Sequence, residues 1–148
     1  MIEGEIAVPD EIECTEQVFD IAFHTQSNVL AAGLIDGTVE IWRYNTDSEN
    51  VKLSTFSHHQ ASCRGVLIAE DGHMMFTISK DKSLKGIDTS GSVVMNYENA
   101  HSEPINKIIT IPNIGLATGD DSGCIKIWDI RSPTPTMSFH LHEDFVSG

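Results

Sequence analysis

Hydrophobic and polar residues alternate in short runs along this chain, and turn-forming residues separate the runs. The clearest example is 116–131, LATGDDSGCIKIWDIR, in which two strand-like runs flank an Asp-Asp-Ser-Gly turn. In its second run, one face carries Cys124, Lys126 and Trp128, and the other carries the residues between them. Because side chains along a strand alternate between two faces, this stretch predicts a β-hairpin.

The same order of strands and turns occurs three times. Predicted strands lie at 18–23, 29–33, 38–42 and 51–56, then at 63–69, 74–79, 83–87 and 93–97, and finally at 105–110, 114–119, 124–129 and 137–139. Aligning the rounds at the position of Trp128 places Ile87 and Trp42 there, with spacings of 41 and 45 residues. No helical period of 3.6 is present, so the pattern predicts an all-β protein.

This period is typical of the four-stranded blades of a β-propeller. We predict an acidic segment at 1–15, blades at 16–57, 58–98 and 99–140, and the start of a fourth blade at 141–148. The alternative, a sandwich of unrelated hairpins, does not account for the matched offsets. Propellers close with about 4–8 blades, so we expect a fragment of a longer ring, and a homodimer formed through its open flanks.

The charge of the chain limits the kinds of partner it suits. Its net charge is −13 at neutral pH. Binding to nucleic acid and to anionic membranes depends on basic side chains, so neither is expected. Basic protein surfaces are the favoured partners.

The cysteines and the N-terminal residues indicate the cellular compartment of the protein. Cys14, Cys63 and Cys124 are widely spaced, as is usual for reduced intracellular thiols. The N-terminal residues are acidic and have no signal-peptide pattern, and no apolar run approaches the length of a membrane span. A cytosolic or nuclear location is expected.

The ending Ile127-Trp128-Asp129 resembles the signature of the WD repeat. By that resemblance, His101, Thr118, Asp121 and Trp128 would form the hydrogen-bonded tetrad of a WD blade. A histidine also precedes the second round (His58 or His59) and the fourth (His142), and structural turns are predicted at Asp36 and Asp81. A buried turn aspartate needs hydrogen-bond partners, which gives the tetrad a structural purpose.

Longer segments resemble the WD repeat-containing protein 55 family. They are SCRGVLIAEDG (62–72), FTISKDKSL (76–84), AHSEPIN (100–106), LATGDDSGCIKIWDIR (116–131) and LHEDFVS (141–147). The resemblance implies a seven-bladed propeller associated with the nucleolus and ribosomal RNA production. The chain departs from the repeat pattern where Ile87 replaces tryptophan and where Arg43 follows Trp42.

The sequence Trp128-Asp129-Ile130-Arg131 has the form W-D-x-R. It resembles the motif with which some propellers dock on the adaptor of cullin ubiquitin ligases, and Asp129 and Arg131 would then contact that adaptor. The alternative is that these two residues form a local pair after the strand. The runner-up function is therefore a substrate-receptor module of such a ligase.

Candidate chemistry elsewhere is weak. His58 with His59, and His140 with His142, lack a third ligand at metal-binding spacing. Asp120 and Asp121 have no accompanying nucleophile or phosphate-binding loop. We therefore predict no catalytic, cofactor or metal site. The resemblance to the WD repeat-containing protein 55 family implies a scaffold that binds ribosome-assembly proteins in the nucleolus.

Overall fold

The structure, a computed structural model, describes residues 7–112 and 115–130, together with the backbone of 135–140. Within these ranges, three antiparallel sheets of four strands each follow one another along the chain. The described residues include no helix long and apolar enough to cross a membrane. The predicted all-β fold of about three four-stranded blades is confirmed.

Each blade consists of four consecutive strands in simple up-and-down order. Blade 1 contains β1 (Val18–Phe23), β2 (Val29–Leu34), β3 (Val39–Arg43) and β4 (Val51–Phe56). Blade 2 contains β5 (Cys63–Ile68), β6 (Met74–Ser79), β7 (Leu84–Asp88) and β8 (Val93–Tyr97). Blade 3 contains β9 (Ile105–Ile111), β10 (Gly115–Asp120), β11 (Cys124–Asp129) and β12 (Pro135–His140).

The first strands of neighbouring blades lie against each other, β1 beside β5 and β5 beside β9. Apolar side chains fill the spaces between the blades in two clusters. The cluster between blades 1 and 2 includes Ala31, Val39, Cys63, Val66, Met75 and Ile87. The cluster between blades 2 and 3 includes Phe76, Ile78, Leu84, Ala100, Ile105, Ile108, Leu116 and Trp128.

Asp36 and Gly37 form the turn between β2 and β3, and a turn at this Asp-Gly pair is what the sequence predicts. The Asp36 carboxylate accepts hydrogen bonds from the backbone N–H and the hydroxyl of Thr38. Gly37 has φ of 92°, and a Cβ there would lie 2.6 Å from the carbonyl oxygen of Ala61 in blade 2. This turn therefore needs glycine both for its backbone conformation and for contact between blades.

The N-terminal segment 7–15 contains no strand. It is instead attached to blade 1 through two side chains, because Asn50 donates a hydrogen bond to the carbonyl oxygen of Asp10 and Glu40 accepts from Thr15.

One face of β1 is exposed and apolar. Phe19, Ile21 and Phe23 alternate along the strand, and 41%, 51% and 54% of their surfaces are exposed. Their neighbours Asp20 and Ala22 point to the opposite face, where Asp20 accepts a hydrogen bond from the N–H of Val66 in blade 2.

Candidate functional site

A chain of buried hydrogen bonds lies at the centre of blade 3. The indole N–H of Trp128 donates to the Thr118 hydroxyl oxygen over 2.8 Å. That hydroxyl lies 2.7 Å from Nε2 of His101, and Nδ1 of His101 lies 2.8 Å from the Asp120 carboxylate. Because a carboxylate only accepts, Nδ1 carries the proton, and Nε2 accepts from Thr118.

The aspartate of this network is Asp120, so the assignment of Asp121 is wrong. Thr118 and Asp120 are two residues apart on β10, and side chains at that spacing share one face of a strand. Asp121 follows the end of the strand and points elsewhere. Its carboxylate accepts two hydrogen bonds from Arg64 at 3.2 Å and one from Asn106 at 2.8 Å. Asp121 therefore links blade 3 to blade 2.

The protonation states agree with this direction of donation. Burial lowers the pKa of His101, and the Asp120 carboxylate offsets this only in part. For Asp120, burial acts to raise the pKa, but hydrogen bonds from Ser122, His101 and two backbone N–H groups outweigh it and hold the pKa below its usual range. The pair is therefore a neutral imidazole and a carboxylate.

His101, Asp120 and Cys124 offer ligand atoms that all lie within 4.8 Å of one another. Both ring nitrogens of His101 already take part in hydrogen bonds, and Asp120 accepts from Ser122 and from the N–H of Cys124 as well. Holding a metal here would break the network of blade 3. The arrangement is suited to positioning strands.

Blade 2 repeats the network without its indole. The sequence left His58 and His59 as alternatives, and the structure places His59 in the network, with Nδ1 3.0 Å from Asp81 and Nε2 2.7 Å from Thr77. Burial raises the pKa of Asp81, but hydrogen bonds from His59, Ser83 and the N–H of Gln60 outweigh this and leave it well below its usual range. Ile87 occupies the tryptophan position, and its side chain has no N–H to donate to Thr77.

Blade 1 has a different network, centred on Glu40. This residue is fully buried and accepts from the Trp42 indole at 2.9 Å and from the hydroxyl and N–H of Thr15 at 2.7 and 3.2 Å. Lys52 lies 3.7 Å from the carboxylate. Burial acts to raise the pKa of Glu40, but the hydrogen bonds from Thr15 and Trp42 outweigh it and lower the pKa.

Sequence reasoning missed Glu40, although a signal was present. Glu40 lies two residues before Trp42, where the other blades have Lys85 and Lys126. Those lysines donate to the carbonyl oxygens of His58 and Ala100, at 2.5 and 2.7 Å. The reversal of charge at one repeat position marks the blade whose network differs.

One of the two residues proposed for docking, Asp129, lies at the end of β11. Asp129 is the last residue of that strand and pairs with Gly115. Ile130 follows it and is 46% exposed. Arg131 and His142 lie outside the described residues.

A cleft of about 320 Å³ opens between blades 1 and 2. Its walls include apolar side chains from both blades, among them Ile41, Leu53, Phe56, Met75 and Ile87. At the corresponding contact between blades 2 and 3, Tyr97 stacks on Trp128 with ring centroids 4.9 Å apart. The cleft thus lies where Ile87 replaces the tryptophan.

The protein-family model for the WD domain, G-beta repeat, matches residues 11–43 and 91–129. Relatives named WD repeat-containing protein 55 are 40% identical over 139 residues in Arabidopsis thaliana, 40% over 141 in Danio rerio and 36% over 141 in Homo sapiens. These alignments cover 93%, 94% and 94% of this chain, but 39%, 36% and 37% of the relatives. The predicted resemblance is confirmed: WD40 repeats are found in the chain, and it is similar over most of its length to proteins named WD repeat-containing protein 55.

Proposed function

We propose that the chain is a non-enzymatic scaffold that binds proteins of ribosome assembly in the nucleolus. The observation that carries the proposal is the similarity over 94% of the chain to proteins named WD repeat-containing protein 55. WD40 repeats generally serve as non-catalytic platforms for protein interaction. The nucleolar role is the one that the resemblance to this family implies.

Two features of the molecule support a scaffold. The titratable groups at the centre of blade 3 hydrogen-bond to one another and hold its strands together. The chain also carries a net charge of −13, which favours association with basic proteins such as those of the ribosome.

Localisation and RNA processing test the proposal. A fluorescent fusion of the full-length protein is expected to overlap with a nucleolar marker, and its depletion is expected to raise the level of unprocessed ribosomal RNA precursors. The same fusion carrying Asp120→Asn, which is expected to be less stable, is the control that shows what a loss of stability alone does to localisation and precursor levels. A fusion that is folded and excluded from nucleoli, with normal precursor levels on depletion, would contradict the proposal.

Docking on the adaptor of a cullin ubiquitin ligase is a second candidate. It is favoured by the run Trp128-Asp129-Ile130-Arg131 and by the exposure of Ile130 directly after Asp129. Arg131→Ala is expected to abolish capture of the purified adaptor, since arginine donates several hydrogen bonds to one surface. Arg43→Ala is the matched control, because the exposed Arg43 directly follows Trp42 in blade 1. Equal capture by both variants would remove this candidate.

A further inference from the structure

The two contacts between blades differ at one repeat position. Between blades 2 and 3, the large indole of Trp128 meets the ring of Tyr97 in a stacked pair. Between blades 1 and 2, the smaller Ile87 and the ring of Phe56 belong to one apolar cluster. Ile87 lacks the volume of an indole, and both residues line the cleft of about 320 Å³.

The cleft has the size and chemistry of a pocket for one large side chain. Its volume is at the lower end of the range of about 300–1,000 Å³ found for binding pockets. Leu53 at its wall is 39% exposed, whereas Met75 and Ile87 are buried. An apolar group that entered would cover Leu53 and meet the ring of Phe56, so its burial would be favourable.

Acidic groups lie at the edge of the cleft. Asp88 is one of its lining residues, and hydrogen bonds from Ser90 and Ser92 hold the pKa of Asp88 below its usual range. Glu70 and Asp71 are exposed and immediately precede the lining residue Gly72. The residues that line the cleft include no lysine or arginine. Its electrostatic surroundings therefore favour a cationic partner.

We propose that the cleft between blades 1 and 2 binds an aromatic side chain of a partner protein, in a segment where lysine or arginine flanks that side chain. The aromatic ring enters the space beside Ile87 and Phe56, and the flanking cations face Glu70, Asp71 and Asp88. This inference rests on the proposed scaffold function and adds a site and a partner chemistry to it.

Fluorescence anisotropy with labelled peptides tests the proposal on the purified 148-residue chain. The peptide Lys-Arg-Trp-Lys-Arg is expected to bind at least about tenfold more tightly than Lys-Arg-Ala-Lys-Arg, because buried aromatic anchors carry much of the affinity of an interface. The peptide Lys-Arg-Trp-Lys-Arg is also expected to bind more tightly than Glu-Glu-Trp-Glu-Glu. Its binding is expected to weaken as salt is added, because salt screens the attraction between charges.

Two pairs of variants locate the binding. Ile87→Trp places an indole in the cleft and is expected to weaken binding about tenfold, whereas Val94→Trp adds an indole at an exposed position of β8 and should leave binding unchanged. Glu70→Lys should weaken binding without touching the core. Glu98→Lys makes the same charge change at an exposed position outside the cleft and should leave binding unchanged.

Equal binding of the tryptophan and alanine peptides would overturn the proposal. Equal effects of Glu70→Lys and Glu98→Lys on peptide binding would also overturn it. A third contrary result would be that peptide binding is lost when copies of the chain associate, because another copy would then fill the cleft. Because these measurements use the purified chain, their outcome is independent of whether the protein is found in the nucleolus.

Discussion

Nδ1 of His101 lies 2.8 Å from the carboxylate of Asp120, and both side chains are almost completely buried. The adjacent carboxylate, that of Asp121, is 38% exposed and contacts Arg64 instead. Two neighbouring aspartates thus have different structural functions. One completes the network within blade 3, and the other joins blade 3 to blade 2.

Asparagine substitutions at these positions should have unequal effects on stability. Asp120→Asn removes the buried charge that His101, Ser122 and Cys124 donate to, so we expect the free energy of unfolding to fall by about 1–3 kcal/mol. Asp121→Asn affects a partly exposed ion pair and should cost less than about 1 kcal/mol. Urea denaturation measures both, and an equal or larger loss for Asp121→Asn would contradict the assignment.

Acid should destabilise the folded chain, starting at mildly acidic pH. The pKa of His101 is lowered in the folded state, so below the ordinary histidine value of about 6.5 the unfolded chain binds a proton that the folded chain resists. The lowered pKa of Asp120 adds a second loss of stability below about pH 4, where the unfolded carboxylate is protonated. Both effects make stability decrease as pH falls.

Urea midpoints between about pH 7.5 and about pH 3 measure both effects. His101→Gln is the control, since it lacks the titrating ring and should show a flatter profile between about pH 7 and 5. A midpoint that rises as the pH falls over this interval, or a profile that His101→Gln leaves unaltered, would refute the role given to His101.

The fold was predictable from the sequence because strands and turns leave local signals. Alternating residues such as those of β11 identify a strand, and the Asp36-Gly37 pair identifies a turn. The partner of His101 was harder to predict, because the resemblance to the WD repeat favoured Asp121, and only the two-residue spacing from Thr118 indicates Asp120. The network of Glu40 depends on a contact with Thr15, 25 residues away, which no local pattern encodes.

Glu40 should hold the N-terminal segment against blade 1. Glu40→Ala removes the acceptor for the Trp42 indole and for two groups of Thr15, and we expect it to cost about 1–3 kcal/mol. Hydrogen exchange of the Thr15 amide should accelerate because that N–H donates to Glu40. Glu49→Ala removes an exposed carboxylate from the same blade, and equal exchange in the two variants would contradict this role.

The exposed face of β1 leads to a prediction about self-association. Phe19, Ile21 and Phe23 form a contiguous apolar row on that strand, and such surfaces favour pairing in water. We expect the chain to form a homodimer through this face, and light scattering to report twice the mass of 16.3 kDa. Ile21→Lys places a charge in the centre of the row and should yield a monomer, whereas Val94→Lys changes an exposed residue of β8 and should not. A monomeric parent chain, or a dimer that persists in Ile21→Lys, would show that this face does not mediate association.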